Sequence, residues 1–532
     1  MRRRFDTLVY VSALCACCAC APGPRNYGDS GPTDGGTDTD TGPTMTSMPG
    51  WELAFAVRAG GDEVFENIPD GMYREAGLLV ETLDDGSVCL AGQVGEEAVF
   101  GEGTPAETTF PNLGVGWSDG FLARYRPDGD LDWVRLIGGE FEDHAYGVDA
   151  FADGAAVVAG SYDSFELVLG EGEPNETVLY TSNRSAYAAK YAPTGELDWA
   201  VSFPSTDDAV SYALAAFALP DGRVMVGGMF IGTLWPGEPW ELTTDAPDSF
   251  DGFLVWLGAD GGVLSARRIG GETEERWGRK YVISEAGTLF AALPYYGDEL
   301  YGTGEEHETT LHCESDPGEC ATALARYTTD GILEWVVSVN AARVGITTIG
   351  EEGVGLVGYA LDPASFLDDA TIWTGAWDTG YLVVAKYSAS DGQLERARFA
   401  EQASHYWGPT ELAVVGMPDG GLVALLAFEL SLAFDGDASV AREVISAGET
   451  EMALVSFAPD GEIRWVHRLG GAGKERVGGI AQQDGTSLWI TGAYCSDPFV
   501  ATSGNGDDVE LPLSGYSDVF LLRFDSTTTP TE

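Results

Sequence analysis

The chain has 532 residues, with 28 Lys and Arg against 85 Asp and Glu, a net charge of −57 and a pI near 4.1. A field of that sign repels phosphate backbones and excludes a nucleic-acid partner, and 44% hydrophobic residues exclude global disorder. The 71 Gly, 14 Trp and 21 Tyr favour a turn-rich, all-β chain, whose acidic surface is either a solvated skin suited to salt water or a lure for cations and basic partners.

Residues 1–20 begin with Met1-Arg2-Arg3-Arg4 and continue into a short apolar run that ends in cysteines. This is the plan of a secretory signal, and the run is too short to span a bilayer. Leu14-Cys15-Ala16-Cys17 resembles the bacterial lipobox, in which a small residue precedes a cysteine that is lipidated and becomes the new N-terminus. Cys17 follows Ala16 and fits best; Cys20, after Ala19, is second. The alternative is a plain signal peptide cut nearby. The resemblance implies a lipid-anchored protein of the bacterial outer membrane or cell surface, attached through the acyl chain. Residues 21–50 lack apolar periodicity and read as a flexible Gly/Thr/Asp tether. Its Asp38-Thr39-Asp40-Thr41-Gly42 run lacks the spacing and closing Glu of a calcium loop.

Residues 51–525 are repetitive. Strand, Pro/Gly or Asp/Gly turn, strand recurs, clearest from Tyr187 to Trp199, and the second strand is headed by Trp51, Trp133, Trp199, Ser265, Trp335, Arg396 and Trp465. Those positions lie 82, 66, 66, 70, 61 and 69 residues apart. The strand before the turn also occurs seven times, from Phe121–Tyr125 to Val519–Phe524. Each copy carries another strand pair, such as Tyr146–Phe151 with Ala156–Gly160, joined by Asp-Gly turns. Seven units of four strands predict an all-β, seven-bladed β-propeller. The first strand lacks a partner before it and the last lacks one after it, so pairing Trp51–Val57 with Val519–Phe524 is expected to close the ring. Residues 526–532 read as a disordered tail.

The units have the form Trp-x4-Gly-Gly followed by Asp-Gly turns and Asp-x-Phe-Leu-x-Arg-Tyr-x-x-Asp-Gly-x3-Trp, best seen at Asp119 to Gly139 and Ala458 to Gly471. They resemble the bacterial seven-bladed β-propeller repeat family, a likeness that covers residues 51–525. The resemblance implies the fold and carries no shared catalytic residues. Ala192–Trp199 is similar to the Thr-Gly-Glu-x-x-Trp segment of quinoprotein dehydrogenase blades, yet no adjacent cysteine pair of the kind that packs on the quinone occurs beyond the signal. The Asp-Gly turns differ from sialidase Asp-boxes, where one residue separates Asp from Gly.

Beyond the signal the cysteines are Cys89, Cys313, Cys320 and Cys495. Cys313 and Cys320 bracket an acidic loop of the fourth unit, and a disulfide is the expected state outside the cytoplasm. The alternative, a metal site with His307 and His312, matches no standard zinc spacing. Cys89 and Cys495 fall in corresponding strands of the first and seventh units, as buried thiols or as a bridge. His144, His405 and His467 are isolated, with His144 able to meet a carboxylate from Glu142-Asp143. No nucleophile elbow, His-Glu-x-x-His helix or phosphate loop is present. The glycine pairs Gly138-Gly139, Gly270-Gly271 and Gly470-Gly471 read as turn residues.

No catalytic, metal or cofactor residue is therefore nominated. The expectation is a monomeric interaction scaffold that binds a protein or glycan through loops 93–118, 162–184, 229–250, 295–320 and 495–516, with Trp235 and Trp240 as contact residues or as core. The alternative is a hydrolase- or lyase-like propeller acting on an extracellular carbohydrate at the central channel. Convergent carboxylates and arginine there would favour the enzyme; aliphatic and Gly/Ala walls would favour the binder.

Overall fold

The computed structural model describes residues 48–527 apart from 62–75, 96, 111–117, 207–208, 245–249, 274–279, 296–297, 313–321, 361–378, 404–411, 430, 434–442, 447, 449, 502–507 and 515–516. Cys17, Cys313, Cys320 and His405 lie outside the described residues. Seven four-stranded antiparallel sheets stand around one axis. Blade one is β2 (Ala76–Thr82), β3 (Val88–Val94), β6 (Asp119–Tyr125) and β7 (Leu131–Ile137). Blade two is β8 (Asp143–Ala150), β9 (Ala156–Tyr162), β12 (Ser185–Tyr191) and β13 (Leu197–Ser202), and blade three is β14 (Val210–Ala218), β15 (Val224–Ile231), β18 (Phe250–Leu257) and β19 (Val263–Thr273). Blade four is β20 (Lys280–Ile283), β21 (Leu289–Pro294), β24 (Thr322–Tyr327) and β25 (Leu333–Val339). Blade five is β26 (Ala341–Ile349), β27 (Gly353–Ala360), β28 (Thr379–Ser388) and β29 (Leu394–Ala403). Blade six is β30 (Leu412–Gly416), β31 (Leu422–Phe428), β34 (Glu451–Phe457) and β35 (Ile463–Gly470). Blade seven joins β36 (Glu475–Gln483), β37 (Ser487–Tyr494) and β40 (Asp518–Ser526) to β1 (Trp51–Ala59), the expected closure.

The first strand of each blade touches that of the next, from β2 through β8, β14, β20, β26, β30 and β36 back to β2, so these strands wall the channel. The middle strands are covered on both faces by neighbouring blades. Their sequences are therefore continuous apolar runs rather than alternating ones, as in the wholly buried Val88–Val94, Ala156–Tyr162 and Leu422–Phe428.

Register aligns one residue from every strand into a rank that crosses each blade. In blade one it is Glu81, Cys89, Arg124 and Trp133. In blade seven it is Ala481, Trp489, Arg523 and Phe55. The repeat position in the first strand is thus Phe55, four residues beyond the expected Trp51, and Phe55 stands the usual five residues before Gly60-Gly61.

The rank explains the tryptophans. Trp133 Nε1 donates to the Pro193 carbonyl in the turn of blade two at 3.0 Å, Trp199 to Ala259 at 2.9 Å and Trp335 to Ala389 at 3.0 Å. Each ring is also pressed by the turn glycine of the next blade: a Cβ on Gly195 would stand 2.7 Å from Trp133, and its φ is +81°. Only glycine meets both demands. Where Ser265 replaces the tryptophan, its cross-strand partner Trp256 donates to Thr329 at 2.7 Å instead. Where Arg396 replaces it, the guanidinium reaches Pro459 at 3.5 Å, and at the seam Arg523 donates to Pro127. The eroded copies keep the inter-blade bond and change its donor.

Candidate functional site

Strand direction sorts the loops by face. The links between first and second strands and between third and fourth are tight turns at one end, where aspartates such as Asp85, Asp153 and Asp260 accept the N–H two residues on at 2.9 to 3.1 Å. The long links between second and third strands all emerge at the other end. There lie the hairpins β4 (Ala98–Phe100) with β5 (Thr108–Phe110), β10 (Glu166–Leu169) with β11 (Thr177–Tyr180), β16 (Thr233–Leu234) with β17 (Leu242–Thr243), and β22 (Glu299–Tyr301) with β23 (Thr309–Leu311). The sixth and seventh blades add β32 (Ser431–Ala433) with β33 (Glu443–Ile445), and β38 (Phe499–Ala501) with β39 (Val509–Leu511); these extend the outer strands of blades five and six.

Four hairpin tips share a bond that sequence reasoning passed over. Glu107, Glu176, Glu241 and Glu308 each accept the backbone N–H of the residue four before, at 2.6 to 2.7 Å. The signal was Gly-x-Gly-x-x-x-Glu at 101–107, 170–176 and 302–308. In the third copy Trp235 takes the first glycine's place at φ +50°, a backbone cost offset by burying its indole 5.0 Å from the Phe203 ring. Trp240 packs against the same cluster. Trp235 is therefore core between blades two and three, the second of the two sequence readings, and Trp240 is half-buried against it.

A dense polar cluster sits on the hairpin face where blade two meets blade one. Asp143, fully buried, accepts from Ser164 Oγ at 2.6 Å and from the N–H groups of Asp163 and Ser164. Burial raises it to about 7 in spite of those bonds. Burial and then the charge of Asp143 raise Asp119 to about 8. Blades three, six and seven set an arginine across from the equivalent acid: Arg268 with Asp251 at 2.9 Å, Arg468 with Glu451 at 3.5 Å and Arg58 with Asp518 at 3.3 Å. Blade one has Leu136 in that place, which leaves Asp119 to rely on a proton.

Gly138 and Gly139 pass directly over these acids. A Cβ on the first would stand 2.2 Å from the Asp119 carboxyl carbon, and on the second 2.7 Å from Ser164 Cβ. The pair is thus a close-approach element rather than only a turn. The arrangement recurs where Gly470 and Gly471 cross Glu475, which is bonded to Ser496 and raised by burial to about 8. Gly-Gly-x-x-x-acid, with a serine 21 residues on, was the readable signal.

Around Asp143 the rim is charged and aromatic. Arg184 is bound by both oxygens of Asp163 and by Glu142 at 2.9 Å, with its guanidinium 5.5 Å from the Tyr212 ring centre. Burial alone would raise Glu142, but His144 and Arg184 beside it hold it down to about 2. His144 is nearly buried, 2.9 Å from Gln93 Oε1 through Nδ1 and stacked on Tyr146. It therefore does meet Glu142, at 3.9 Å, from within β8 rather than from a solvated loop. Outside it stand Phe141, Phe165 and Tyr180, 43%, 60% and 60% exposed; the last two meet edge to face at 6.5 Å.

Deeper in the channel the shared rank presents Glu81, Asp149, Phe217, Val282, Thr347, Val415 and Ala481. Glu81 is raised by burial and by Asp149 to about 8. Asp149 accepts the Ala218 N–H of the next blade at 2.7 Å, as Thr347 accepts that of Gly416 at 2.9 Å, so it is a strut between blades. Cys89 is a buried free thiol pushed up to about 12, chiefly by burial. Cys495 follows the far end of β37 and is disulfide-bonded, which rules out a bridge to Cys89. His312 is exposed beside Asp298, and no metal-holding group of His, Cys, Asp and Glu occurs among the described residues.

No protein-family model matches the chain, and no curated protein matches it. Among solved structures it is similar to a quinohemoprotein alcohol dehydrogenase from Comamonas testosteroni, at 8% identity and TM-score 0.38, over 91% of this chain and 77% of that one. It is similar to an uncharacterized Listeria monocytogenes protein, at 10% identity and TM-score 0.38, over 84% and 97%. A quinonprotein alcohol dehydrogenase-like protein from Bacteroides thetaiotaomicron follows, at 10% identity and TM-score 0.31, over 86% and 100%. Likenesses this distant leave function to the geometry.

Proposed function

We propose that the chain is an extracytoplasmic interaction propeller, tethered to a membrane by lipid on Cys17, that presents its hairpin face to a protein or glycan. The observation that carries this reading is polarity. β1 begins and β40 ends at the tight-turn face, so a tether leading to Trp51 attaches there and turns the opposite face outward. That face holds the inserted hairpins and the exposed aromatic trio. The deeper rank brings Glu81 beside Asp149 but sets no arginine with them, Asp149 is engaged as an inter-blade strut, and the other five members are four apolar residues and a threonine, which favours recognition over catalysis. Replacing Cys17 with Ser is expected to move the protein from the membrane pellet to the soluble fraction, and unchanged sedimentation would remove this anchor. Crosslinking on intact cells followed by mass spectrometry is expected to place crosslinks on the hairpins; crosslinks confined to the Asp-Gly turns would overturn the orientation.

A further inference from the structure

We infer that the rim of blade two is a docking surface for a cationic polypeptide segment, gripped by Phe141, Phe165 and Tyr180; this rests on the outward-facing hairpin face proposed above. These are the Phe, Tyr and Trp side chains exposed by more than a third among the described residues, and all three lie at one rim. Scattered exposed apolar residues are ordinary in a folded protein, whereas aromatics gathered at one place mark a contact.

The site is built rather than loose. Tyr162 donates its hydroxyl to the Tyr180 carbonyl at 3.1 Å, and Thr181 N–H donates to the Phe165 carbonyl at 3.3 Å, which fixes the backbone that carries the two rings across the mouth of the β10–β11 hairpin, where the rings meet edge to face. Phe141 N–H donates to Ser164 Oγ at 2.9 Å, so Phe141 is pinned to the residue before Phe165. Rigid aromatics give contact area at small entropic cost.

Charge selects the partner. Glu140, Glu142, Asp163 and Glu166 stand beside the three rings in sequence, on a chain of net charge −57. The local cation, Arg184, is already held by Asp163 and Glu142. An incoming lysine or arginine thus meets aromatic faces, which attract cations, inside a field that steers positive segments toward it. An anionic chain is repelled, and a neutral glycan gains nothing from the charge.

The test is fluorescence anisotropy of a labelled peptide of alternating lysine and glycine against the full-length protein in detergent. Saturable binding is expected. The variant Phe165→Ala/Tyr180→Ala, whose changes are at exposed positions, should weaken it about tenfold while leaving thermal unfolding unchanged. The variant Asp128→Asn/Asp260→Asn/Asp460→Asn, which removes three charges from the opposite face and keeps the turn acceptors, should change affinity less than twofold. Equal weakening by both variants would reduce the binding to general attraction and overturn the site. So would a neutral oligosaccharide that binds through Phe165 and Tyr180 where the peptide does not. If crosslinks on cells still fall on the hairpins while the peptide fails to bind, this inference falls and the proposed function stands.

Discussion

Trp256 shows how a residue can be misplaced in the repeat and still do the repeat's work. It occupies the third-strand position that holds arginine or lysine in blades one, two, four, five and seven, yet its Nε1 makes the bond that the fourth-strand tryptophan makes elsewhere. Trp256→Ala is expected to cost about 3–5 kcal/mol, read as a lower urea midpoint. Moving the ring back, with Trp256→Arg and Ser265→Trp together, restores the blade-one arrangement of Arg124 and Trp133. The double variant should recover about 1–3 kcal/mol relative to the sum of the singles; strict additivity would show that the two positions do not share one inter-blade site.

Elements were legible from sequence where turn chemistry repeats, and less so where the chain ends interrupt it. The Asp-Gly and Pro-Thr-Gly turns gave the hairpins, and the unpartnered first and last strands gave the closure that β1 and β40 make. The phase of β1 was misread because a tryptophan stands at its head, although Gly60-Gly61 pointed to Phe55. The buried carboxylates were invisible individually, since 85 acids bury any pair in chance proximity; only their fixed offset from a glycine pair distinguishes Asp143 and Glu475. The aromatic rim was missed because exposure is not written in residue type: Trp235 is core and Phe165 is not. Removing residues 51–57 takes the outer strand from blade seven and bares the edge of β40. A single broad loss of stability is expected across all blades by hydrogen exchange, and protection lost in blade seven alone would refute the closure as a whole-ring element.

For the whole molecule, proton uptake at the blade junctions sets a pH profile unlike that of most acidic proteins. Asp119, Asp143 and Glu475 have native values of about 8, 7 and 8, above their unfolded values near 4. Each contributes stability that is complete below about pH 4 and is lost as pH rises through its native value. Glu142, held at about 2, acts in the opposite sense and loses its contribution as pH falls below about 4. The melting temperature is therefore expected to decline from pH 5 to pH 9, and Asp119→Asn should flatten that decline. A wild-type profile that rises across the same range would contradict the buried, protonated state of these acids. The seam adds a mechanical consequence. β1 is the outer edge strand of blade seven and is held only by its antiparallel pairing with β40 within that sheet, so a pull directed along it is borne by that one ladder. Its cross-strand bonds are then loaded together in shear instead of being peeled open one after another, so the ring would hold against such a pull until the whole strand slips at once.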